Sequence, residues 1–301
     1  MRLSLTMLAV ALITAPASAS ELTGTLQKVK ETNRIVLGIQ EASVPFSYLD
    51  GDQKAIGYAV DICMKIVDAV KRELKLSSLN VETSPVTSSN RIPLMMNGAV
   101  DLVCSSTTNN AERQRQVSFT NSHFLSATRF AARKADNVAT IDQLKGKPVV
   151  AISGSTNMVQ LNQANTARNL GVTVLAAKDQ AEAFLMLETG RAAAYVLDDV
   201  QLAVAIARSK DPSAYIISEE TFSKAEPYGI MLRKNDIPFK ALVDRATAEL
   251  YRSPEIAVIY KKWFESPVPP NGLNYKTPMS AVLRSAFANP SDSPDPASYE
   301  R

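Results

Sequence analysis

One pattern constrains this chain more than any other, and it occurs twice. Residues 93–98 followed by 100–103, and residues 184–191 followed by 194–198, each run helix, glycine, strand. Gly98 suits the left-handed position just past a helix end. Around each copy, strands and helices alternate. Residues 34–39 form a short β-branched run of the kind buried on both sheet faces. Residues 58–74 carry Val60, Ile62, Cys63, Ile66, Val67 and Val70 on one helical side. Strands are expected at 81–85 and 100–104, with a helix at 91–96 ending at Asn97-Gly98. A second series opens at 148–152, passes through a helix from Thr156, and reaches strands near 172–175 and 194–197. Such alternation predicts an α/β fold with parallel-rich sheets flanked by helices, and two series predict two lobes. Residues 21–30 read as a helical start, 228–232 as a further strand, and 238–251 and 254–264 as helices. The Pro-, Asn- and Ser-rich tail from Pro267 reads as a segment that wraps or frays.

Composition removes several function classes. The 33 Lys plus Arg nearly cancel the 30 Asp plus Glu, and a formal charge of +3 over 301 residues provides no basic stripe for nucleic acid. One His and two Cys cannot build an ordinary zinc shell, so no metal or cofactor is expected. Arg2, the apolar run 3–13 and Ala17-Ser18-Ala19 read as a cleaved secretory signal over residues 1–19. No Cys stands near the cut to carry a lipid, so a diffusible periplasmic protein is expected. No later stretch is apolar for long enough to span a bilayer. In an oxidising compartment Cys63 and Cys104 either pair or remain two buried thiols, and the sequence leaves both open.

Ligands of α/β sheets sit beyond the carboxyl ends of strands. After the strand ending at Cys104 come Ser105-Ser106-Thr107-Thr108-Asn109-Asn110, and Asn109 with Glu112 reads as a capping box. Arg113, one turn in, offers a two-pronged contact to a carboxylate. Ser153-Gly154-Ser155-Thr156 is the comparable turn of the second series. Asp198 and Asp199 end a strand, where a carboxylate either pairs with an ammonium group or caps the following helix. Thr87 to Arg91 add hydroxyl and guanidinium donors. Anion site, ammonium site and a further polar end describe an amino acid.

The stretches Ser43-Val44-Pro45-Phe46-Ser47-Tyr48, Asn90-Arg91-Ile92-Pro93-Leu94, Ser106-Thr107-Thr108-Asn109-Asn110, Leu187-Glu188-Thr189-Gly190-Arg191 and Tyr228-Gly229 with Met231-Leu232-Arg233-Lys234 closely resemble the periplasmic glutamate/aspartate-binding proteins of ABC transporters. The similarity covers about residues 24–285. It implies a two-lobed type II periplasmic-binding-protein fold with a two-strand hinge. Residues 20–124 and 228–301 would form lobe 1, and residues 125–227 lobe 2. The implied α-carboxylate clamp falls on Thr108, Arg113 and Thr156, and the ammonium partners on Ser106 and Asp198. The distal end of the ligand would meet Ser88 and Arg91. Here the chain departs from the resemblance: an Arg and a His of the related pattern are Gln40 and Gln180. An amide donates and accepts, so the ligand's distal group could be carboxylate or carboxamide.

The expected function is capture of a polar L-amino acid, glutamate or aspartate, glutamine or asparagine, by a monomer that delivers it to an inner-membrane permease. The rival is an enzyme on the same scaffold, similar to periplasmic dehydratases, for which Glu41 and Asp199 would be the acid/base candidates. Phe46 and Tyr48 read as packing residues rather than cleft walls. His123 reads as structural, at the first inter-lobe crossing, with the second crossing near 225–230.

Overall fold

The computed structural model describes residues 22–300, so the signal-like stretch 1–19 lies outside the described residues. Two five-stranded sheets form its frame. In the first, Asn80–Pro85, Arg34–Ile39 and Leu102–Cys104 lie parallel, and Met231–Arg233 and Val117–Phe119 complete it, with Met231–Arg233 antiparallel to both neighbours. In the second, Thr173–Ala177, Pro148–Ile152 and Ala194–Asp198 are parallel, followed by antiparallel Thr128–Arg133 and Tyr215–Ile217. In both, three parallel strands are followed by an antiparallel strand and then by an edge strand.

The central parallel strand of each sheet feeds two cores. Val149 and Ala151 face one cluster with Phe130, Leu161 and Val196, while Val150 and Ile152 face another with Leu187 and Tyr195. That two-sided burial is why these strands read as continuous apolar runs. The repeated glycines also behave alike. Gly98 and Gly190 both have φ +79°, and a methyl group there would meet Arg233 Nη2 at 3.0 Å or Arg133 Nη1 at 2.7 Å. Both arginines end the antiparallel strand of their sheet.

Two strands join the halves: Phe124–Ser126 pairs antiparallel with Glu226–Tyr228. Each leads directly into the antiparallel strand of the sheet it enters. The stretch 228–232 is therefore two strands, since Tyr228 pairs with Phe124 in the crossing whereas Met231 pairs with Val103 and Phe119. An aromatic cluster of Phe46, Tyr58, Phe124, Tyr228 and Phe264 packs behind the crossing, with His123 against three of those rings.

Several boundaries differ from the sequence reading. The first helix is Gly24–Thr32 rather than 21–30, because Thr23 supplies the extended N-cap backbone. The tail wraps: helix Ala281–Ala288 and a 3₁₀ turn at Pro296–Tyr299 bury Leu283, Phe287 and Tyr299. Cys63, on helix Tyr58–Glu73, and Cys104 form a disulfide with Cα atoms 6.1 Å apart, both fully buried. No described helix is long and apolar enough to cross a membrane.

Candidate functional site

The turns after the parallel strands of the two sheets meet. Gly154 makes this approach feasible: its φ is +75°, and a Cβ there would lie 2.7 Å from Ser89 Cα and 2.8 Å from the Ser88 carbonyl oxygen. Ser89 Oγ donates to the Ser153 carbonyl across the same gap, at 2.9 Å. Only a residue without a side chain lets these backbones come so close.

Behind that contact, Gln40, Ser88, Arg91, Ser106, Thr108, Thr156, Gln180 and Asp198 line one chamber. Eight of the nine residues expected at a ligand site are thus brought together. The ninth, Arg113, lines the adjoining groove with Ser155, Thr156 and Glu226. Its Nη1 donates to the Thr108 carbonyl at 2.8 Å and its Nη2 to the Gly154 carbonyl at 3.3 Å, so it spans the two turns while 7% exposed. Thr108 and Thr156 hydroxyls touch at 3.2 Å between groove and chamber.

The helix carrying Arg113, Ala111–Gln114, is capped by Asn110 and not by Asn109. Asn110 is extended, with φ −135° and ψ 165°, and its side chain accepts from Arg113 N at 2.9 Å. Asn109 is turned inward and fully buried.

The charged groups are unevenly matched. Arg91 is 3% exposed and donates through Nη1 to Thr107 Oγ1 at 3.0 Å, while its Nε is buried without a partner among the described residues. Burial pushes its pKa well down from the ordinary value, and the neighbouring Arg113 charge acts in the same direction. Burial likewise lowers Arg113, against the opposing pull of Glu226 and Asp198. Asp198 is the one fully buried carboxylate among the residues that line the chamber. It stands at the N-cap position of helix Asp199–Ala207, yet its side chain makes no capping bond. Instead it accepts from Asn157 Nδ2 at 2.8 Å, Thr128 Oγ1 at 3.2 Å and the Tyr228 hydroxyl. Burial raises its pKa even so, with those three donors opposing.

Neutral groups fill the remaining wall. Gln40 Nε2 donates to Ser88 Oγ at 3.3 Å, and its Oε1 is buried without a partner among the described residues. Gln180 Nε2 and Gln201 Nε2 both reach Ser43 Oγ, at 3.2 and 2.8 Å, and Gln201 also reaches Ser106 Oγ at 3.1 Å. Gln201, Ser43, Asn157 and Tyr228 were not singled out by sequence. A signal existed for Gln201, the sole polar residue in the run Val200 to Ala207 and on the same turn as Asp198.

Phe46 and Tyr48 pack rather than line the chamber: Phe46 is fully buried among rings, and Tyr48 donates to the Pro269 carbonyl at 2.8 Å. Glu41 and Asp199 are also outside the chamber lining. Among the described residues, no cluster of three or more His, Cys, Asp or Glu side chains is placed to hold a metal ion.

Residues 35–266 match the family model described as bacterial extracellular solute-binding proteins, family 3. The chain is 46% identical over 288 residues, 95% of each chain, to the L-glutamate/L-aspartate-binding protein of Pseudomonas aeruginosa. It is 41% identical over 278 residues to the glutamate/aspartate import solute-binding protein of Escherichia coli, covering 92% of this chain and 90% of that one. Among solved structures, an ancestral arginine-binding protein bound to arginine superposes with a TM-score of 0.69 at 28% identity, over 77% of this chain and 98% of the other. A two-sheet α/β frame, two crossing strands and a chamber between the strand ends accord with these matches, and the chain belongs to family 3 of the bacterial extracellular solute-binding proteins.

Proposed function

We propose that this protein captures an L-amino acid with an acidic side chain in the periplasm and delivers it, as a monomer, to an ABC-type permease. The observation that carries the reading is the charge inventory: two buried guanidiniums, Arg91 and Arg113, against one buried carboxylate, Asp198. Glu226, beside Arg113 in the adjoining groove, offsets part of that guanidinium's charge, whereas a zwitterion, bringing no net charge, would leave Arg91 in the chamber without a carboxylate. A dicarboxylic amino acid brings one negative charge in excess and balances the set. Leaving a buried charge without a partner costs about 3–5 kcal/mol, which exceeds the roughly 1.5–3 kcal/mol of a single hydrogen bond to a charged group.

In this reading Arg113, Thr108 and Thr156 hold the α-carboxylate, Asp198 and Ser106 hold the ammonium, and Arg91, Ser88, Gln40 and Gln180 hold the distal group. The ligand bridges residues of both lobes and favours the closed form by its differential affinity. No chemical step is needed, and neither Glu41 nor Asp199 is set to perform one. The names of the relatives from Pseudomonas and Escherichia support the acidic ligand.

Gln40 and Gln180 favour a second reading, in which glutamine or asparagine is taken because an amide serves either partner. Calorimetry with glutamate, aspartate, glutamine and asparagine separates the two. Glutamate or aspartate should bind at least tenfold tighter than its amide, and equal or inverted affinities would overturn the charge argument. The Arg91→Gln variant should lose that preference.

A further inference from the structure

We propose that the C-terminal segment, residues 289–300, is a brace that positions the arm carrying Thr108 and Arg113 and ties it to the first inter-lobe crossing. The segment lies beyond the stretch matched by the family model, which ends at residue 266. The inference rests on the reading of Thr108 and Arg113 as ligand contacts.

The carbonyl oxygen of Asp292 accepts from Asn109 Nδ2 and from Gln114 Nε2, both at 2.9 Å. Gln114 Nε2 also donates to Asn109 Oδ1 at 2.9 Å. A carbonyl only accepts, so both amide orientations are fixed. Asn109 directly follows Thr108 and Gln114 directly follows Arg113. One backbone oxygen therefore pins the arm beside each of its ligand-facing residues. The arm helix is four residues long and has too few bonds of its own to hold that geometry.

The segment is itself anchored. The Asp292 carboxylate meets Lys240 Nζ, on helix Ile237–Arg252, at 2.9 Å. One residue earlier, the Ser291 carbonyl accepts from Ser122 N at 2.8 Å. The Tyr299 hydroxyl lies 2.7 Å from Ser122 Oγ and donates to the Ser293 carbonyl at 2.9 Å. Ser122 stands two residues ahead of the crossing strand Phe124–Ser126. The same short segment thus fixes the arm to the point about which the lobes move, and so reduces the ordering that ligand binding must impose.

The test compares the full-length protein with a chain ending at Pro290, by calorimetry with L-glutamate and by amide hydrogen exchange without ligand. Removing the brace should weaken glutamate about tenfold, the effect of losing two or three net hydrogen bonds. Exchange should quicken in residues 105–116 while residues 148–152 stay protected. If the shortened chain does not fold, the full-length Gln114→Leu variant decides, with a several-fold weaker Kd and the same local exchange. A Kd within twofold of the full-length value in a folded protein overturns the proposal, and so does exchange that quickens uniformly. If the full-length protein itself does not bind glutamate, the ligand assignment has failed, and exchange in residues 105–116 alone judges the brace.

Discussion

At the scale of single residues, the proposed role of Asp198 as the ammonium partner sets binding against stability. Its folded pKa is raised, chiefly by burial, so the folded state holds the proton more tightly than the unfolded chain. The ionised carboxylate therefore costs stability at neutral pH, and that cost is relieved as pH falls through the raised value. Asp198→Asn should raise the unfolding temperature of the free protein while weakening amino-acid binding by at least about a hundredfold, the scale expected for removing one partner of a buried charge pair. Thermal scans and calorimetry on the same preparation check both. Affinity should also decline on acidification from a higher pH than an exposed aspartate would dictate, and the Asn variant should lack that limb. Arg91, Arg113 and Asp198 were picked out in the sequence by the turns that follow the strands together with the family resemblance, and the structure puts Arg91 and Asp198 in one chamber with Arg113 in the groove beside it. Ser43 and Gln201 were not picked out, because the role of a neutral hydroxyl or amide depends on what the other lobe brings opposite it.

At the scale of elements, the turn at Gly154 and the disulfide make separable predictions. Gly154→Ala adds a methyl group to a left-handed residue against the Ser88–Ser89 backbone. The isolated lobes keep their cores, so the expected result is a folded protein whose glutamate affinity falls more than tenfold; an unchanged Kd would show that the two turns need not meet for binding. The Cys63–Cys104 bridge closes a loop with a sequence separation of 41 residues, so removing it as a Cys63→Ser, Cys104→Ser pair should cost about 4 kcal/mol in denaturant unfolding. Most elements were visible in the alternation of apolar periods. What the pattern could not reveal was partnership. Residues 228–232 look like one strand, but their two ends join different sheets, with Gly229 against Phe119 between them. The cap at Asn110 was equally hidden, since Asn109 and Asn110 are chemically alike and only backbone angles select between them.

At the scale of the whole molecule, the sole histidine sits where the halves join. Burial lowers the pKa of His123 to about 3, from an unfolded value near 6.5. Below the unfolded value the unfolded chain takes up a proton that the folded protein refuses. Stability should therefore fall as pH drops from about 6.5 toward 3 and level off beneath. His123→Phe, which suits a site walled by Phe46, Tyr58 and Tyr228, should flatten that slope in pH-dependent unfolding; an unaltered slope would assign the acid lability to the carboxylates.

The strand order of the first sheet carries one more consequence. Met231–Arg233 lies between Leu102–Cys104 and Val117–Phe119, so Val117–Phe119 has no neighbour until residue 233 is in place. A chain emerging N-terminus first can assemble its inserted half while the half that began earlier waits, unfinished, for its closing piece. Order of synthesis and order of completion are thus reversed, and in the interval between them the arm carrying Thr108 and Arg113 lacks both the strand that closes its sheet and the Asp292 carbonyl that holds it.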